Sequence, residues 1–212
     1  MAKLVQKSGY IKSGKASGYM RYIATREGVE KLAGNGSVTK GQRELIQKLL
    51  TDFPDAVELF EYEDYCKTPT LGTASAFITM ALDANLHGID SESGYMQYIA
   101  TRPRVQKYGS HGLFSSSTSV DLASAMSELE SHEGNVWTII YSLRREDAAR
   151  LEFDNADAWR TLLMENAPTL AKSMKISLEN FHWYAAFHDE GHHPHIHMMV
   201  WSDDPKEGFL TK

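Results

Sequence analysis

The sequence has one cysteine, Cys66, in 212 residues. That excludes a disulfide framework within the chain and any thiolate cluster as a metal site, and it fits a reducing compartment. Long apolar runs are missing too. Nothing approaches the roughly 18 residues of a membrane span, and the start MAKLVQKSG lacks the apolar core of a secretory signal. A cytoplasmic protein with no membrane insertion is expected. Positive charge is scarce overall, the net charge being −6, which at first sight argues against nucleic acid, because backbone binding rests on phosphate neutralisation. The distribution reverses that for one region. Residues 1–50 hold ten Lys/Arg against three Asp/Glu, a balance of +7, and the other 162 residues hold twelve against twenty-five, or −13. A basic segment on an acidic body can form a local binding groove. With 42% hydrophobic and 24% charged residues the composition is that of an ordinary globular chain. A single domain over 1–212 is expected.

What is present in abundance, near the end, is histidine. Residues 181–201 read FHWYAAFHDEGHHPHIHMMVW. The pattern predicts two strands, 181–188 and 195–201, joined by a turn over Asp189 to Pro194. Alternation along a strand puts His195 and His197 on one face and Ile196, Met198 and Val200 on the other. Antiparallel pairing across the turn sets His188 opposite His195. Three imidazoles then lie within reach of one divalent ion. His182 shares that parity but lies about 20 Å further along, at about 3.3 Å per residue. It is not expected to be a ligand. His192 and His193 belong to the turn, where a solvated role is expected. Asp189 and Glu190 are candidates to hold the imidazoles as acceptors or to ligate directly.

A second feature is a repeat: SGYMRYIATR at 17–26 returns as SGYMQYIATR at 93–102, with nine identities in ten at an offset of 76. On the helix expected over 16–32, Tyr19, Tyr22 and Arg26 fall along one stripe. The bland reading is a reused core helix in which Met20, Ile23 and Ala24 pack. The chemical reading takes a phenol as a covalent nucleophile, Tyr22 or its counterpart Tyr98.

Strands are expected at 3–11, 110–116 and 135–143 besides the hairpin. Helices are expected over 39–53 with Thr39 as cap, from near Thr73, over 119–134 with Ser119 or Asp121 near the start, over 144–153, and over 155–176 with Pro168 kinking or dividing it. Arg102-Pro103 should end the helix of the second repeat copy. The acidic, aromatic stretch from Pro54 to Tyr65 reads as a solvated connector. Together these predict an α+β fold, a central antiparallel sheet of about five strands with helices packed on it.

The segment HDEGHHPHIH, 188–197, resembles the His-hydrophobic-His motif of conjugative relaxases, the nicking enzymes of plasmid and integrative-element transfer. Tyr-Ile-x-x-Arg-Glu-Gly at 22–28 resembles the nucleophile region of the MobP class. The whole chain, including RPRVQKYGSHGLF and PKEGFLTK, is similar to the MobP/MobL-like relaxases of Gram-positive mobile elements. The resemblance implies a relaxase palm and a strand-specific nick at an origin of transfer, leaving a tyrosine joined to the 5′ phosphate and a free 3′ hydroxyl. It implies Tyr22 as nucleophile, with Tyr98 as an alternate because the motif is duplicated and Tyr19 as a third, and His188, His195 and His197 as metal ligands. Mg or Mn is the implied ion, although three imidazoles would also hold Zn, Ni, Co or Cu in vitro. Arg26, by its spacing, and Arg21, Lys12 and Lys15 in the basic segment are the candidate DNA contacts. Single-stranded origin DNA and accessory relaxosome and coupling proteins are the implied partners. Family members usually continue into helical extensions, so an isolated catalytic domain is expected. Two other classes stay open: a non-catalytic origin-binding module whose imidazoles hold the fold together, and a zinc hydrolase using metal-bound water.

Overall fold

The structure is a computed structural model that describes residues 3–10, 36–85, 92–101, 104–117, 119–189 and 193–209. Lys12, Lys15, the expected helix over 16–32 with Tyr19, Arg21, Tyr22 and Arg26, and Glu190 and His192 of the turn lie outside the described residues. The chain divides into two compact units, one of Met1–Lys12 with Gly88–Lys212 and one of Ser13–His87.

In the second unit the described elements are helical. Helix α1, Lys40–Asp52, starts at the expected Thr39, whose hydroxyl accepts from Gln42 N at 3.2 Å while Gln42 Oε1 accepts from Thr39 N at 3.0 Å. This reciprocal pair satisfies two donors that a helix start leaves open. After a 3-10 turn at Pro54–Glu58 comes α2, Phe60–Lys67, then α3, Leu71–Asn85. The connector expected from Pro54 to Tyr65 is therefore structured. Phe60 is buried, and the Tyr62 ring lies 5.0 Å from Phe77 of α3. Acidic residues alternate there with aromatic ones, and the aromatic burial decides the outcome.

The first unit is built on a five-stranded, wholly antiparallel sheet of order β1-β3-β5-β4-β2. Its strands are β1 Leu4–Tyr10, β2 Leu113–Phe114, β3 Trp137–Leu143, β4 Phe181–His188 and β5 His195–Ser202. Its helices, in chain order, are α4 Glu92–Thr101, α5 Leu122–Glu130, α6 Arg145–Arg150 and α7 Ala156–Ser173. The expected α+β architecture is what forms. One face of the sheet, through Ile139, Ile196, Met198, Val200, Trp183 and Phe187, packs on Trp159 and Leu163 of α7. The other, through Leu113, Ala186, Met199 and Trp201, packs on Tyr95, Met96 and Ile99 of α4 and Ala125 and Leu129 of α5. Both faces of β5 are thus dry, and all eight of its residues are buried.

Pro168 does not divide α7, which runs unbroken through it. The proline is exposed, so the carbonyl of Met164, which would have taken the missing N–H, can be solvated on the outer face. Among the described helices none is long and apolar enough to cross a membrane.

Candidate metal centre

The β4–β5 register sets the site. His188 lies opposite His195, and Ala186 lies opposite His197. Opposed residues of an antiparallel pair share a face, so all three imidazoles stand on the α4 side of the sheet. Ring centroids are 5.2 Å apart for His188 and His195, 4.7 Å for His188 and His197, and 5.0 Å for His195 and His197. One nitrogen from each ring lies within 4.8 Å of those from the other two. All three side chains are fully buried.

Hydrogen bonds at the backs of the rings determine which nitrogens those are. His188 Nε2 is 2.8 Å from the carbonyl oxygen of Ile99, and His195 Nδ1 is 3.0 Å from that of His193. A carbonyl only accepts, so each of these ring nitrogens carries the proton, and the lone pairs sit on His188 Nδ1 and His195 Nε2. His197 Nδ1 meets the Tyr95 hydroxyl at 3.0 Å, which leaves its Nε2 on the triad side. His188 Nδ1, His195 Nε2 and His197 Nε2 are all buried. Neutral imidazoles with their second N–H on a carbonyl are the usual arrangement around a bound transition metal. The donor set fits a divalent cation.

The Ile99 carbonyl is available for a reason legible in the chain. In a helix it would accept from the N–H four residues on, and that residue is Pro103, which has none. The described helix runs to Thr101, and Arg102 and Pro103, where its end is expected, lie outside the described residues. The backbone beyond them is tied to the end of β4: Gln106 N donates to Phe187 O at 3.0 Å and Asp189 N to Arg104 O at 3.0 Å. Gly112 makes the fit possible, since a Cβ there would lie 2.1 Å from Val105 Cγ2.

Of the other expected site residues, Asp189 is exposed and accepts an ion pair from Arg145 Nη2 at 2.6 Å. Tyr98 is partly buried and packed on the α4-side core. His193, expected in solvent, is 6% exposed and supplies the carbonyl that holds His195. Tyr95, the counterpart of Tyr19 rather than of Tyr22, was not singled out by sequence. The signal was its i,i+4 spacing to Ile99, which puts both on one helix face. Ser142, opposite His195, and Lys7, opposite Ile140 and so in the row of His197, share the triad's face and are buried.

A model of the MobL relaxases matches residues 1–212. The chain belongs to the MobL relaxase family. Comparison with curated proteins and with solved structures finds no match. Membership makes this MobL relaxase a nicking enzyme that acts on DNA at an origin of transfer in conjugative mobilisation.

The relaxase carries a second histidine group on the same sheet face, at the other end of the β4–β5 ladder. His182 pairs with Asp203 at 2.7 Å and stacks on Trp201, centroids 5.8 Å apart. Tyr184 stacks on the same indole at 5.5 Å, and its hydroxyl donates to Glu128. Burial, then the Glu128 charge, pushes the Tyr184 phenol up to about 12. Burial also lowers the His132 imidazole from its ordinary value, against the raising influence of Asp203 and Glu92. Glu128, His132, His182, Trp201 and Asp203 line a cleft of about 480 Å³.

Proposed function

We propose that this MobL relaxase nicks single-stranded origin DNA by metal-assisted attack of a tyrosine on a phosphodiester. His188, His195 and His197 would hold the ion, for which Mg or Mn is the physiological choice, with Zn, Ni, Co or Cu as substitutes in vitro. A divalent ion at that place supplies charge that polarises a phosphoryl oxygen. Tyr22 is the nucleophile: its phenol oxygen bonds to phosphorus, the bond from phosphorus to the 3′ oxygen breaks, and the 3′ oxygen leaves as a hydroxyl after taking up a proton. The products are a 5′-phosphotyrosine and a free 3′ end. Lys12, Lys15, Arg21 and Arg26 contact the DNA backbone. Residues 1–212 act as one relaxase domain, in the cytoplasm, with accessory relaxosome and coupling proteins. The observation that carries this reading is the buried three-imidazole cluster with two lone pairs fixed by carbonyls, in a chain of this family.

The experiment is to incubate the protein with labelled single-stranded origin DNA and Mn²⁺ and look for a conjugate that survives denaturant. Wild type forms it and Tyr22→Phe does not. An adduct that persists in Tyr22→Phe and vanishes in Tyr98→Phe or Tyr19→Phe moves the nucleophile. Multiple turnover with no adduct points to metal-bound water instead. Unfolding on chelation, with no cleavage, marks a structural site.

A further inference from the structure

The two copies of the repeat differ where it matters for the metal centre. The second copy is followed by Pro103 and the first by Glu27, and Gln97 stands where the first copy has Arg21. In sequence, then, the second copy has no N–H four residues after its isoleucine, where the first copy has that of Glu27. The carbonyl of the second copy's isoleucine, Ile99 O, takes the His188 ring, and one turn earlier on the same helix face Tyr95 takes the His197 ring.

We infer that α4 is the brace of the metal centre and that Tyr95 is its positioning residue, not a nucleophile. This rests on the metal-centre reading above. The Tyr95 hydroxyl can bond to His197 Nδ1 in two ways. If the phenol donates, His197 carries its proton on Nε2 and has no lone pair for an ion. If Nδ1–H donates to the phenol oxygen, the lone pair is on Nε2 and joins those of His188 and His195. Metal binding selects the second arrangement. The Tyr95 oxygen then fixes His197 as the carbonyls of Ile99 and His193 fix the other two rings, and all three ligands are held from behind by acceptors. The phenol cannot also reach a phosphate on the ion. It lies on the Nδ1 side of His197, away from Nε2, and Tyr95 is 1% exposed. Duplication has thus divided the labour, with the first copy left for DNA chemistry and the second holding the ligands.

The test is calorimetric titration of the full chain with Mn²⁺. Tyr95→Phe weakens binding about 10- to 100-fold, the usual consequence of removing such a partner, and Tyr184→Phe keeps the wild-type affinity. Adduct formation by Tyr95→Phe needs proportionately more Mn²⁺ but returns to the wild-type level when the ion saturates. A nucleophile's loss would not be rescued. An unchanged Mn²⁺ affinity, or an adduct that saturating Mn²⁺ does not restore, overturns the assignment. Wild type that binds no Mn²⁺ at all defeats the metal-centre reading itself, a separate result. Should Tyr95→Phe not fold, long-range ¹H–¹⁵N correlation spectra of wild type loaded with Mg²⁺ or Zn²⁺ decide: the inference requires the His197 proton on Nδ1, and a proton on Nε2 ends it.

Discussion

The two ends of the β4–β5 ladder present histidines on the same face of the same strands, six residues apart on β4, or about 20 Å at 3.3 Å per residue. What stands behind the rings differs between the two ends. At the turn end every ring is fully buried, two are backed by carbonyls and the third by a phenol. Carbonyls accept without bringing a formal charge, and they hold the ring N–H of His188 and of His195 outward with the lone pair facing inward. At the far end His182 is paired with a carboxylate, and the two side chains are 40% and 60% exposed. That ring faces a formal negative charge and open water. The same residue type thus sits in a dry setting backed by uncharged acceptors at one end of the ladder and in a wet setting beside a carboxylate at the other.

The largest effect expected from breaking this contrast is at the turn end. His195→Ala should lower adduct formation more than about a hundredfold, since even losing a ligand's hydrogen-bond partner costs up to about that much. It should also abolish the stabilisation that the ion confers. An ion at a hundred times its Kd contributes about 2.7 kcal/mol, or roughly 5–10 °C in melting temperature for a chain of this size, measurable by scanning fluorimetry with and without Mn²⁺. His182→Ala should retain both the adduct and the Mn²⁺-dependent rise. If His182→Ala loses them and His195→Ala keeps them, the two ends have been assigned the wrong way round.

How much of this was legible beforehand depends on the range of the signal. The hairpin was, because strand alternation and a short turn suffice to bring His188 opposite His195. The sheet was, because β-branched and aromatic runs bounded by turn residues are local signals, although at 110–116 only Leu113–Phe114 pairs as strand. The choice of tyrosine was not. Tyr95 and Tyr98 sit three residues apart in a repeat of nearly identical sequence, and which one meets His197 depends on how α4 packs across the sheet. Burial of His193 was hidden for the same reason. Its neighbours in sequence, Gly191, His192 and Pro194, are turn residues, whereas β3 comes near it: Leu143 N donates to the carbonyl of Pro194 at 3.2 Å. Pro103 was readable as a helix stop, but its use in freeing a carbonyl for His188 needs the partner in view.

A smaller effect sharpens the far end. His132 lies beside Trp201, and burial lowers its pKa from 6.5, with Asp203 and Glu92 raising it, His182 lowering it and the backbone of Asn135 raising it through a hydrogen bond. The unfolded ring takes a proton near 6.5 that the folded ring resists. Its contribution to stability is therefore complete above pH 6.5 and is lost as pH falls from there through the lower folded value. His132→Gln lacks this loss. The melting temperature of wild type minus that of His132→Gln should fall between pH 7.5 and pH 5, whatever the constant offset, and a difference that is flat or rises with acid contradicts the assignment.

The smallest effect is the one that best separates the two ends. The His182–Asp203 pair is solvent-accessible on both sides, and such pairs contribute about 0.2–1 kcal/mol because water screens the charges and holding two side chains costs entropy. Asp203→Asn should therefore cost less than about 1 kcal/mol in denaturant unfolding at pH 6, and less still in 1 M salt, where the screening length falls to about 3 Å. Mn²⁺ affinity should not change, since no charge that holds the triad has moved. A cost well above that bound, or a Mn²⁺ affinity that follows Asp203, would mean that the carboxylate reaches the triad through the β4–β5 ladder and that the ends are one coupled system.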